Sequence, residues 1–120
     1  MNTSSQPVGR VTIAPQVLTT IVRQTALGVD GVQSLASRPP KRSRISGRRA
    51  VDSGIEVIVS DGQVHVVLHI NADPGANMFR LAETLQKEVA SAIERIVGMD
   101  VTGVDVRIDN VAFTNGANTK

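Results

Sequence analysis

Apolar residues recur along this chain with two distinct periods. From residue 63 to 71 they alternate: Val64, Val66, Leu68 and Ile70 fall on one side of an extended chain, with His65, Val67, His69 and Asn71 on the other. The preceding run, residues 54–60, is rich in Val and Ile, whose branched Cβ suits a pleated surface. Asp61-Gly62 between the two runs supplies the positive φ angles of a two-residue type I′ turn, so residues 54–71 are expected to form a hairpin. Residues 101–111 alternate again, with Val104, Val106 and Ile108 inward and Asp105, Arg107 and Asp109 outward. Residues 8–13 predict a short first strand with Val11 and Ile13 on one face, and residues 29–35 a short extended piece.

Two segments have the 3.6-residue period instead. Pro15 suits the first turn of a helix running to about residue 27, with Val17, Leu18, Ile21, Val22, Thr25 and Ala26 as its stripe. Gly28 is expected to end it in a left-handed conformation. A second helix, capped by Asp73 or Asn77, runs to about residue 97 and is ended by Gly98. Its buried stripe is Met78, Leu81, Ala82, Leu85, Val89, Ala92, Ile93 and Ile96, with Glu83 and Lys87 paired on the wet side. The order β-α-β-β-β-α-β predicts an α+β two-layer sandwich, with two helices packed on one face of a mostly antiparallel sheet. The opposite face would show Glu56, Ile58, His65, Val67, His69, Asp105, Arg107 and Asp109 to solvent or to another subunit. Ile58, His65, Val67, His69 and Arg107 are the candidate interaction face. Residues 7–112 are expected to form one domain, with disordered tails at 1–6 and 113–120.

Composition narrows the chemistry. The 120 residues include no cysteine, which excludes disulfides, thiolate nucleophiles and zinc–sulfur sites. Only Phe79 and Phe113 are aromatic, so the core must be built from aliphatic side chains. The polar start has no apolar signal region, and no apolar run approaches the roughly 20 residues that span a bilayer. These features are expected of a cytoplasmic protein that reaches a membrane only through a partner or through surface charge.

Charge is uneven. Six of the thirteen Lys and Arg residues (Arg38, Lys41, Arg42, Arg44, Arg48 and Arg49) lie in a segment without an acid, so the other seven face eleven acids and the rest of the chain is net −4. With Pro39, Pro40 and several serines, residues 37–50 are expected to be a flexible basic loop. Such a cluster attracts the phosphates of nucleic acid or anionic lipid. It lacks the aromatics that stack single-stranded bases, so the alternatives are a solvated insertion and a nonspecific phosphate contact.

Catalytic patterns are scarce. His65 and His69 are about 13 Å apart along a strand, too far to chelate one ion between them. Asp105 and Asp109 share a face with Arg107 between them, but nothing in the sequence supplies a desolvating pocket. Gly98 and Gly103 are isolated, and no phosphate-cradling glycine loop is present. No enzyme activity and no cofactor or metal are expected.

Residues 9–18 (Gly-Arg-Val-Thr-Ile-Ala-Pro-Gln-Val-Leu) and 26–32 (Ala-Leu-Gly-Val-Asp-Gly-Val) resemble the opening of the alkaline shock protein 23, or Gls-type, envelope stress response family. The hairpin at Asp61-Gly62 looks like its middle. Residues 85–89 and 98–101, continuing into 104–106, resemble its closing helix and strand. The resemblance covers roughly residues 8–112. It implies a bacterial, non-enzymatic protein that acts as a scaffold or partner-docking module at the cytoplasmic side of the cell envelope. It also implies a homo-oligomer and a membrane-anchored partner. The basic loop and the turn at 71–77 depart from the family pattern. A small nucleic-acid or anionic-surface binding module, using the segment from Arg38 to Arg49, is the alternative and less favoured reading.

Overall fold

The computed structural model describes residues 8–37 and 43–111. The expected tails at 1–6 and 113–120, and Arg38, Lys41 and Arg42 of the basic segment, lie outside the described residues.

The elements in chain order are α1 (Pro15–Leu27), β1 (Val32–Leu35), β2 (Arg48–Asp52), β3 (Ile55–Ser60), β4 (Gln63–Ala72), α2 (Met78–Ala92), a π-helical turn (Ile93–Val97) and β5 (Asp100–Val111). β4 is the centre of the sheet. On one side it pairs antiparallel with β3 over residues 63–68, and then with β1 over residues 70–72. β2 extends that side by pairing antiparallel with β3. On its other side β4 pairs with β5 in parallel along its whole length. Parallel neighbours need a crossover connection, and α2 provides it. The fold is α+β, with two helices against a mostly antiparallel five-stranded sheet.

The inner sheet face follows the alternation in the sequence. Val64, Val66, Leu68 and Ile70 of β4 and Ile55 and Val57 of β3 are fully buried against Leu18, Val22 and Ala26 of α1 and Leu85 and Val89 of α2. Hiding each large side chain contributes about 1.5–3 kcal/mol. Asp61 and Gly62 have φ of 51° and 75°, the pair of positive angles that the type I′ turn demands. Asn77 rather than Asp73 caps α2, its Oδ1 accepting from the Arg80 amide at 3.0 Å.

Four expectations are corrected at the level of residues. First, residues 8–14 form no strand; Val8 and Val11 are exposed and the chain enters α1 directly. The place of that expected strand among the five is taken by β2, which starts within the stretch expected to be a loop (37–50) and runs two residues past it, because pairing with β3 supplies its backbone partners. Second, Gly28 closes α1 in right-handed geometry (φ −85°), and the left-handed angle falls on Gly31 (φ 104°). A Cβ on Gly31 would lie 3.2 Å from the Leu81 side chain, so that turn lies tight against α2. Third, Val17 is exposed while Thr19 is buried, its hydroxyl donating to the Gln16 carbonyl at 2.8 Å. Fourth, Ile96 is 61% exposed. The π turn widens the helix there, the Gly98 amide reaching back to the Ile93 carbonyl, and this moves the apolar stripe from Ile96 to Val97. Gly98 ends the turn, as expected, and it is here that a left-handed cap is found (φ 81°). The expected Glu83–Lys87 pair is not among the ion pairs of the described residues.

Candidate functional site: the outer face of the sheet

The sheet face away from the helices is built from the other parity of the same strands. Register places Arg49 beside Ile58, Val51 beside Glu56, Glu56 beside Val67, and Val67 beside Asp105. His65 is in register with Gly103, and His69 with Arg107.

Part of this face is closed. Glu56 is 0% exposed, Ile58 1% and Val67 5%, so the expected solvent exposure of these three is corrected. The cover over Glu56 and Ile58 is the segment 43–47, which lies on β3. The Arg49 guanidinium forms an ion pair with the Glu56 carboxylate and also donates to the Ile45 carbonyl. The Ser43 amide donates to Glu56 Oε1 and Oε2 at 3.2 and 3.4 Å. Gly47 (φ 146°) lies so close that a Cβ there would stand 2.6 Å from the Val59 carbonyl and 2.8 Å from Ile58 Cγ2. Only glycine combines that angle with that approach. Arg49, grouped in the sequence with the anion-binding candidates, therefore neutralises an internal carboxylate. Arg44 and Arg48 of the same group are exposed.

The rest of the face is open and ionic. β4 and β5 run parallel, and each carries a four-residue repeat: His65 and His69 on one, Asp105 and Asp109 on the other. The repeats match. His65 Nε2 lies 3.1 Å from Asp105 Oδ2, and His69 Nδ1 lies 3.0 Å from Asp109 Oδ2. Each carboxylate selects the tautomer that places an N–H on the nitrogen facing it. Room for His65 comes from Gly103, where a Cβ would lie 2.9 Å from the imidazole Cε1. Thr102, the extra residue of a bulge in β5, donates its hydroxyl to the Val64 carbonyl at 3.2 Å beside that ring. Arg107 is exposed between the two pairs. Partly exposed pairs of this kind contribute about 0–1 kcal/mol each, so they order the surface more than they stabilise the fold.

Of the candidate interaction residues, the structure brings His65, His69 and Arg107 together on this open ladder and withdraws Ile58 and Val67 from it. Sequence reasoning did not foresee the Arg49–Glu56 pair or the His–Asp pairing. The available signals were a lone carboxylate inside the run Ile55-Glu56-Val57-Ile58-Val59, and the equal His and Asp spacings on two alternating segments. A separate open cleft of about 930 Å3 lies between the end of α1 and the start of α2, with Asp30, Asp73, Arg80 and Glu88 on its walls. Among the described residues no group of three or more His, Asp or Glu side chains is placed to hold a metal ion, and no helix is long and apolar enough to cross a membrane.

Comparison with known proteins bears on what this surface serves. A family model described as the alkaline shock protein 23 family, with a cell envelope-related function, matches residues 3–113. No curated protein and no solved structure matches the chain. The family match spans nearly the whole sequence and agrees with the motifs at 9–18, 26–32 and 98–106, and on that basis the chain belongs to the alkaline shock protein 23 family, whose function is related to the cell envelope.

Proposed function

We propose that the protein is a non-enzymatic envelope stress response module that docks a partner at the cytoplasmic side of the cell envelope, the partner being a membrane-anchored protein. The observation that carries this reading is the His–Asp ladder on β4 and β5. It is an open, ordered face whose charged groups are already held in place by one another. A face of this kind meets a partner of complementary charge with little further ordering, which favours recognition more than raw affinity. Arg107 is exposed at its centre, with no ion pair to another described residue, and is the residue through which a partner carboxylate would be selected.

The test is fractionation and in-cell cross-linking of the full chain and of its Arg107→Glu variant. Wild-type protein is expected in the envelope fraction, cross-linked to a membrane-anchored partner. The variant is expected to move to the soluble fraction at an unchanged melting temperature, because Arg107 is exposed. Wild-type protein recovered wholly in the soluble fraction would overturn the reading.

The phosphate-binding alternative is supported by the exposure of Arg44 and Arg48. It predicts an affinity for duplex DNA or anionic vesicles that falls steeply with salt and is lost in an Arg44→Ser/Arg48→Ser variant.

A further inference from the structure

Two parts of this chain have no strand beside them among the described residues, and their chemistry fits each other. The first is the segment 8–13. Its composition is that of a strand, with Val11 and Ile13 on one face and Arg10 and Thr12 on the other. Yet it belongs to no sheet, its backbone makes no hydrogen bond to another backbone group among the described residues, and Val11 is 88% exposed. Strand-forming residues hold an extended shape stably only when a neighbouring strand takes up their N–H and C=O groups.

The second is the outer edge of β5. This strand of 12 residues is the longest in the sheet, and it pairs with β4 on one side while no described strand lies on the other. Free edges are normally kept short or guarded by charges, proline or bulges; β5 is long and has no lysine or proline, and its charges all lie on the outer face apart from Asp100 at its start. Its bulges fall near the two ends, at Thr102 and Asp109, leaving a regular stretch from 103 to 108. Within that stretch Val106 and Ile108 face the core yet stay only partly buried. A further strand presenting two apolar side chains on that face would complete their cover.

Two other strands are paired on one side only: β1, four residues long with a register shift between Val32 and Ser34, is too short to seat a six-residue strand, and β2 does not fit the segment. The core-side row of β2 is Arg48, Ala50 and Asp52, which offers Val11 and Ile13 no apolar neighbour larger than an alanine, and Arg48 and Arg49 repel Arg10. The β5 edge offers Val104, Val106 and Ile108 on one face and Asp105, Arg107 and Asp109 on the other, where two carboxylates flank the one cation and Arg10 can face a carboxylate. α1 packs over β1, β2 and β3 while α2 covers β5, so the segment leads off the helix that does not cover this edge.

We propose that residues 8–13 of one copy of the chain add to the free edge of β5 of a second copy, as a sixth strand of its sheet. Reciprocal donation closes a dimer; one-way donation extends a chain of subunits. The proposal names a second copy as one partner of the docking module. Envelope fractionation measures the other partner separately, so failure of either leaves the other standing.

The full chain serves for the test, because it has no native cysteine. Thr12→Cys protein and Asp105→Cys protein, carrying different tags, are mixed and treated with a short bismaleimide. A covalent product bearing both tags is expected. The same mixture carrying Val11→Asp in the donor chain should lose it, and sedimentation should show the association of Val11→Asp protein weakened by about tenfold or more. Val11 is exposed, so Val11→Asp is expected to keep the wild-type circular dichroism spectrum. Protein that stays monomeric at about 100 µM overturns the proposal. So does association that survives Val11→Asp, which would point to two β5 edges meeting directly. A Thr12→Cys/Asp105→Cys double variant that cross-links only within single chains would overturn it as well.

Discussion

The two faces of the sheet come from the same strands and are built on different physics. The inner face is a continuous apolar layer in which each side chain is buried by several others. On the outer face, Glu56 and Ile58 are buried by one short segment, 43–47, held down through the Arg49–Glu56 ion pair, the hydrogen bonds of Arg49 to the Ile45 carbonyl and of the Ser43 amide to Glu56, and a glycine contact. Beyond them lie open His–Asp pairs. Burial on the inner face is therefore a property of the layer, whereas on the outer face it depends on a few named groups.

Breaking the latch should give the largest effect. Arg49→Met leaves the Glu56 carboxylate buried without its cation, and should cost about 3–5 kcal/mol in urea unfolding. The double variant Arg49→Met/Glu56→Leu should recover most of that loss, since an apolar pair of similar volume removes the stranded charge. A single variant as stable as wild type would mean the outer face does not depend on that pair. On the inner face, Leu85→Ala removes a fully buried side chain and should cost about 2–5 kcal/mol, the spread reflecting how far the layer closes over the gap.

Smaller changes probe the open ladder. Gly103→Ala puts a methyl group where the His65 ring lies and should cost about 1–3 kcal/mol, with the His65 side-chain NMR signals moving most. Asp109→Asn, which removes a half-exposed carboxylate, should change stability by about 1 kcal/mol or less. The smallest effect is at the rim of the inner face, where Asp52 of β2 meets Arg23 of α1. The hydrogen bond from Arg23, then that from the Ser53 amide, holds the Asp52 carboxyl below its ordinary value of 3.8. A depressed folded-state pKa stabilises the protein above the unfolded value, and the contribution disappears as pH falls through the folded one. Wild type should therefore melt above Asp52→Asn at neutral pH, with the difference closing as pH drops below 3.8.

Much of this architecture was legible in advance because it rests on local rules. The β4 alternation named its buried row, Asp61-Gly62 its turn, and Asn77 one of two candidate caps. Missed features have non-local causes. Residues 8–13 have the composition of a strand, but no strand is a strand without a neighbour, and composition names no neighbour. β2 is the exception: its partner β3 begins after a turn of only two residues, and it was hidden by its basic composition, which reads as a loop. Ile96 left the buried stripe because a π turn, closed by the Gly98 amide at the end of the helix, altered the helical phase. The candidate site was legible as a list that included His65, His69 and Arg107, and illegible as an arrangement.

The sequence by itself determined the periods: which residues share a helix stripe or a strand face, and where glycine and asparagine punctuate them. Those follow from backbone geometry and side-chain type within a few residues. Only the tertiary structure decided that the outer face is part core and part ladder. Whether a charged side chain such as Glu56 or Arg49 is solvated or paired depends on which distant segment lies over it, and side-chain period carries no information about that.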